Sequence, residues 1–515
     1  MRTSLADSLR HAAIVLKRVF LTRGVRGPTL TLLSGSTLAA AFSFLMQPVL
    51  TRLYSPEEFG VLGYFMALMS LLVTVSSFQY ENALMQPDTE EEAINIMWLS
   101  ALLLGITTLL LSIVVPWRME IARVLRMPEA GPYLILLPPA LLGFRAIKLA
   151  ELWFARAKKF HVLTGGQFVN GVTTTSFRTV AALFPISAGA GGLVGGIMAG
   201  QIAASAIYIP LLARRHGRRF IRTFDLRRII RLARRYRRFS LFSTPANTLN
   251  TLLGRLPFLL IPLFFAGSSN SILGYFGQAV NVLAVPLGFI GSAVAQVLFV
   301  HAAEAARSGQ LHHVAERVHA RLVAIGLFPT LLLITAGPDL LGFMLGTEWR
   351  EAGVFARVLS PWVFLSAVAA PLTRIFDVLE RQRLDFMTSL SMFTALAVGL
   401  LAGGLTRNVT IMLVLVGLAG TLGRTVQIAV MLRLAGVRPR EAFYPYIRGM
   451  LISLPILFPI GIASFLGSIE LIIAVATGGL IAYGLYVFKP NGDRFRRKSS
   501  QKEEAELPSG SPASS

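Results

Sequence analysis

Apolar residues in this chain fall in long unbroken runs rather than in strand-like alternation, and the runs recur from near the N-terminus almost to the end. A helix that crosses a bilayer needs about 20 consecutive, largely apolar residues. Windows of that kind begin at Thr29–Leu50 and continue through Phe59–Phe78 and Ile94–Val115, the last two holding no charge. They end with Ile447–Leu466 and Ile469–Phe488, and fourteen fit in all. The pattern predicts an all-α polytopic membrane protein of about 14 spans.

Composition agrees. Of 515 residues, 54% are hydrophobic and 15% charged, against about 25% charged in soluble domains. A net charge of +23, from 49 Lys and Arg against 26 Asp and Glu, stands on that apolar background. The combination excludes a disordered chain, an ordinary soluble enzyme and a basic nucleic-acid-binding domain. There is no cysteine, hence no disulfide, no Cys-ligated metal and no thiol nucleophile. Lys17 and Arg18 interrupt the only apolar stretch before residue 26, so the start reads as a basic tail and not a removable signal peptide.

Positive charge orients the spans, because Lys and Arg favour cytoplasmic loops. With the N-terminus inside, 36 of the 49 fall in inner segments, 6 in outer ones and 7 within spans. Both termini are then cytoplasmic. Residues 214–240 hold twelve Arg and one acid, and they divide the chain. A basic tail (1–28) precedes an N-lobe of six spans (29–213), the basic segment (214–240) and a C-lobe of six spans (241–434). Two extra spans (435–488) and a disordered tail (489–515) follow. Leu62-Gly63-Tyr64-Phe65 recurs as Leu273-Gly274-Tyr275-Phe276 near the start of the second span of each half. That placement favours a parallel repeat enclosing a central cavity, although a shared glycine packing motif explains the same residues. Within 214–240, apolar residues from Leu226 to Phe239 recur at helical spacing behind Asp225, a helix cap. An amphipathic helix on the anionic inner leaflet is expected. Membrane lipid explains its charge without any nucleic acid.

The residues after the first span carry a family signal. Thr51-Arg52-Leu53-Tyr54-Ser55-Pro56-Glu57-Glu58-Phe59-Gly60 resembles the polysaccharide flippases of the multidrug/oligosaccharidyl-lipid/polysaccharide exporter superfamily, as do Tyr80-Glu81-Asn82-Ala83-Leu84-Met85 with the acidic stretch behind it and Asn250 to Pro257. The resemblance implies a Wzx-type transporter with two MATE-like six-helix lobes. Such proteins flip undecaprenyl-pyrophosphate-linked oligosaccharide across the bacterial plasma membrane for O-antigen, capsule or exopolysaccharide assembly. They use no cofactor, draw on an H⁺ or Na⁺ gradient, and work beside other polysaccharide-assembly membrane proteins. Lipid II flippases and multidrug exporters of the same superfamily are the alternatives.

A pyrophosphate entering the membrane calls for cations, and arginine matches phosphate with a planar fork of donors. Charges at that depth normally face a bundle interior or water. The candidates for substrate binding are Arg145, Lys148, Arg178, Arg255 and Arg424, with Arg424 equally readable as a structural group. Glu151 follows Lys148 by three residues and Asp377 follows Arg374 by three, so each reads as a local ion pair or a coupling-ion site. Arg357 and Arg374 lie near span ends, where a structural role is expected. Arg52 and Glu81 enter as gating candidates through the family blocks alone. No histidine sits mid-span, and the longest outer loop, near Pro116–Pro132, holds no catalytic constellation, which argues against an enzyme.

Overall fold

The computed structural model describes residues 28–184 and 189–487. Most of the basic N-terminal tail and all of the C-terminal tail from 489 lie outside the described residues. Among those described there is no strand. An N-lobe contains α1 (Pro28–Leu45), α2 (Pro56–Val75), α3 (Glu90–Val114), α4 (Leu137–Arg156), α5 (Phe160–Ala181) and α6 (Gly191–Arg222). A C-lobe contains α7 (Leu226–Phe264), α8 (Ser269–Arg307), α9 (Leu311–Leu345), α10 (Arg350–Leu372), α11 (Gln382–Leu405) and α12 (Val409–Leu434). The extra pair is α13 (Pro439–Phe465) and α14 (Ile469–Val487), which packs on α9 through Phe328, Leu332, Leu457, Ile460 and Tyr483.

Ten of these helices, some extended by a short neighbouring helix, are long and apolar enough to cross a bilayer by length and composition. The Thr- and Asn-bearing α5 and the arginine-rich α7 are not among them. The first expected span is interrupted. Its helix stops at Leu45 and a short helix, Gln47–Leu53, restarts at Pro48, whose missing N–H is harmless only in a first turn. Serine and glutamate then start α2. The Ser55 hydroxyl accepts from the Glu58 N–H at 3.4 Å, the Ser55 N–H donates to the Glu58 carboxylate at 2.8 Å, and Pro56 fills the first helical position.

The lobes meet where α2 crosses α8. A Cβ on Gly60 would run into the backbone carbonyl of Asn270, and one on Gly274 into that of Pro56. Backbone therefore lies on backbone, the close approach that small residues permit in lipid. Both copies of the Leu-Gly-Tyr-Phe motif sit on these two helices, yet their glycines differ in partner, since Gly63 faces the Phe258 ring of α7.

The basic segment departs from expectation. Asp225 caps its helix, accepting from the Arg227 and Arg228 N–H groups at 2.9 and 3.3 Å. The helix does not stop at residue 240, however, and runs unbroken to Phe264 as the first helix of the C-lobe. Its apolar face is turned to protein, with Ile229 and Leu232 buried. Asn95 of α3 binds the Thr223 carbonyl and the Asp225 N–H at 3.0 and 3.1 Å. Arg219 pairs with Glu90, Arg228 with Glu91 at 2.5 Å and Arg235 with Glu92 at 3.6 Å. These pairs are exposed and individually weak, so they set register more than stability. Arg218, Arg222, Arg227, Arg231, Arg234 and Arg237 remain exposed.

Gly60→Val and Gly274→Val should each overpack the crossing at a cost of about 1–3 kcal/mol. Thermal unfolding of purified protein in detergent should show a lowered midpoint for both, while Gly254→Ala, where a Cβ meets nothing within 4 Å, should leave it unchanged.

Candidate functional site

Between the lobes lies a cavity of about 750 Å³. Its walls are α1, Gln47 and Pro48, and α5 on one side, and α8 with Met344 of α9 on the other. Ser43, Gln47, Gln167, Asn170, Gln278 and Asn281 supply its polar side chains. No ionisable residue lines it among the described residues. Five of these six are carboxamides, and four of the five form two pairs spaced i, i+3, which places each pair on one helix face. Gln167 donates Nε2–H to the Glu151 carboxylate at 3.0 Å, and Asn170 Oδ1 accepts from the Thr174 hydroxyl at 3.3 Å. Gln278 is 2% exposed, and its Oε1 has no hydrogen-bond partner.

The cavity ends at a latch built from the first family block. The Thr51 hydroxyl donates to the Leu345 carbonyl at 2.9 Å, and Trp349 Nε1–H donates to the Thr51 carbonyl at 2.8 Å. Arg52 reaches the Phe343 carbonyl at 3.4 Å. Phe59 and Tyr275 meet the Trp349 ring edge-on, with centroids 5.2 and 6.1 Å away. One residue from each lobe thus touches the same buried indole. At the opposite end of the bundle, α7 holds the N-lobe through Ser240 Oγ–H to the Phe78 carbonyl at 2.5 Å and Tyr80 O–H to the Ala233 carbonyl at 3.1 Å.

The cationic candidates lie elsewhere. Arg145, 5% exposed, does not face the cavity but is clamped inside the N-lobe. Nη1 pairs with the buried Glu81 carboxylate at 2.7 Å, Nε donates to Ser76 at 2.9 Å, and Nη2 donates to Ser77, which itself binds Glu81. Burial of a charge demands such complete partnering. Glu81 is therefore an N-lobe anchor, whereas Arg52 does bridge the lobes. The same turn holds Phe78 and Gln79 at φ 49° and 58°, left-handed conformations that cost roughly 1–2 kcal/mol each. Lys148 is exposed and forms no ion pair with Glu151, which is taken by Gln167 across the helix interface. Arg178 donates to the Leu193 carbonyl at 3.0 Å and, through its own carbonyl, accepts from Tyr54 at 2.7 Å, tying α5, α6 and the short helix together.

In the C-lobe, Arg424 is held by Ser366 at 3.1 Å and Gln427 at 2.6 Å. Arg357 caps the Thr335 carbonyl at 3.1 Å, beside the kink at Ala336. Arg374 and Asp377 form the expected pair at 3.1 Å, half exposed. Arg255, half-buried in α7, has no hydrogen-bond or ion-pair partner among the described residues. The cavity carboxamides carry no charge, so nothing in the charge pattern of the sequence marks them. Their signal was nonetheless present: Gln167-Phe168-Val169-Asn170 and Gln278-Ala279-Val280-Asn281 share one pattern.

A family model described as polysaccharide biosynthesis protein matches residues 49–354. No curated protein sequence matches the chain. Among solved structures, the lipid II flippase MurJ in an inward closed conformation is similar with a TM-score of 0.64 at 12% identity, over 90% of this chain and 99% of that one. A multidrug resistance MATE family transporter of the MOP superfamily, inward-facing, gives 0.58 at 13% identity, over 82% and 98%. At such identity the likeness is one of fold.

Arg145→Ala and Glu81→Ala each strand a buried charge, which costs about 3–5 kcal/mol, and should lower folded yield and thermal midpoint sharply. The double variant Arg145→Leu/Glu81→Leu should be more stable than either single one. A double variant worse than both would show that the pair does more than anchor the turn.

Proposed function

Because the chain belongs to the polysaccharide biosynthesis protein family, matched over residues 49–354, we propose that it flips a polyprenyl-pyrophosphate-linked oligosaccharide across the bacterial plasma membrane for surface polysaccharide assembly. It is a multi-pass membrane protein with a transporter fold. The observation that carries the reading is the inter-lobe cavity closed at one end by the Thr51–Trp349 latch.

The charge count puts the basic segment in the cytoplasm and hence the latch outside. In that orientation the cavity is shut to the periplasm, and cargo enters from the inner leaflet. The latch comprises three hydrogen bonds of about 0.5–1.5 kcal/mol each and two edge-on aromatic contacts of about 0.5–1.5 kcal/mol each. A few kcal/mol is the scale on which cargo or ion binding shifts a two-state equilibrium. Opening it while the lobes close at the basic end completes alternating access, with an H⁺ or Na⁺ gradient as driving force and no cofactor.

A multidrug or cation exporter needs carboxylates in its cavity to meet a positive substrate. The described lining offers none, which favours the glycan reading. Lipid II differs from other lipid-linked glycans in its sugar and peptide, so the cargo itself separates those two.

A deletion strain should lose surface polysaccharide and accumulate lipid-linked oligosaccharide that is reachable only from the cytoplasmic leaflet, with drug susceptibility unchanged. Unaltered surface polysaccharide together with new drug sensitivity would sink the flippase reading.

A further inference from the structure

We propose that the inter-lobe cavity recognises the sugar of its cargo and not the diphosphate, through two facing carboxamide pairs, Gln167/Asn170 and Gln278/Asn281, which bind neutral hydroxyl and acetamido groups. This rests on the flippase reading and names what that site reads. The pairs come from opposite lobes, on α5 and α8, and each is spaced i, i+3 so that both side chains turn to the same space.

Gln278 carries the chemistry. Its side chain is buried and its Oε1 makes no hydrogen bond. Leaving a buried acceptor unpaired costs about 1–3 kcal/mol, a loss recovered when the side chain turns into the cavity and meets a donor on the ligand. An ionised phosphate oxygen only accepts, so it cannot satisfy Oε1 with the amide oriented as it is here. A sugar hydroxyl or an acetamido N–H can. Carboxamides also donate, and a hydroxyl both gives and takes, so the match runs in both directions.

The absence of an ionisable lining residue among the described residues supports the same assignment. A diphosphate in this space would meet no counter-charge among the described residues, whereas an uncharged oligosaccharide loses only hydrogen bonds to water, which the carboxamides replace. The volume of about 750 Å³ lies within the range of about 300–1,000 Å³ usual for small-ligand sites. Since each lobe contributes one pair, a bound sugar bridges the lobes and is released when they swing apart.

The test uses the full-length protein in detergent and in proteoliposomes. The probes are lipid-linked oligosaccharide extracted from the deletion strain, the oligosaccharide released from it by mild acid, and undecaprenyl pyrophosphate without sugar. Gln278→Leu and Asn281→Ala should weaken binding of both sugar-bearing probes at least tenfold and leave the sugar-free lipid unaffected. Gln278→Leu should melt at or above the wild-type temperature, because it replaces a buried unpaired amide with an apolar group. Asn281 is exposed, so its variant keeps the test valid if Gln278→Leu fails to fold. Equal weakening of all probes, or unchanged binding of the released oligosaccharide, would overturn the sugar assignment. Wild-type protein that binds the released oligosaccharide but flips nothing would instead overturn the flippase reading and leave the sugar site standing.

Discussion

The crossing of α2 over α8, glycine against bare backbone at Gly60 and Gly274, is the contact on which the latch end of the molecule depends. Lipid tails are as apolar as leucine, so the hydrophobic effect gives helices no reason to associate within a bilayer. Close packing and hydrogen bonds must hold them instead. By bringing two backbones together, the crossing sets Phe59 and Tyr275 around Trp349 and carries Thr51 to the carbonyl of Leu345. The Ser55 cap fixes the direction in which the chain enters α2, and with it the position of Thr51 four residues earlier. The latch is thus a consequence of how two helices begin and how near they can come.

A second constraint explains where the charges went. An ionisable side chain at membrane depth needs several partners, and the interior of a lobe provides them more readily than a wet cavity does. Arg145 found Glu81 and two serines, Arg178 a carbonyl, and Arg424 a serine and a glutamine. Each of these three arginines joins segments within one lobe. The polar lining of the cavity between the lobes is left, among the described residues, to neutral amides and a serine.

The acidic stretch after the second family block has a matching role. Behind the Thr89 cap, Glu90, Glu91 and Glu92 fill the first turn of α3, where acids complement the helix dipole, and they also receive three arginines of the basic segment. The inter-lobe connection is therefore fastened to the N-lobe while its helix continues as the first member of the C-lobe. One continuous helix, α7, thus takes the place of a loose linker between the lobes.

Apolar run length alone was enough to show a helical membrane protein, because hydrocarbon admits no unpaired backbone and the run must match bilayer thickness; among the described residues ten helices are long and apolar enough to cross. The Asp225 cap and the Arg374–Asp377 pair were legible because each depends on residues close in sequence. The partners of Arg145, Arg178 and Arg424 were not legible. A single cation on an apolar helix looks the same whether it faces a cavity or a carboxylate 64 residues away. The continuity of α7 through the basic segment was hidden because helical periodicity says nothing about what covers the apolar face. Which side chains line the cavity was decided only by the angle at which the lobes meet, and that angle follows from contacts between residues hundreds of positions apart.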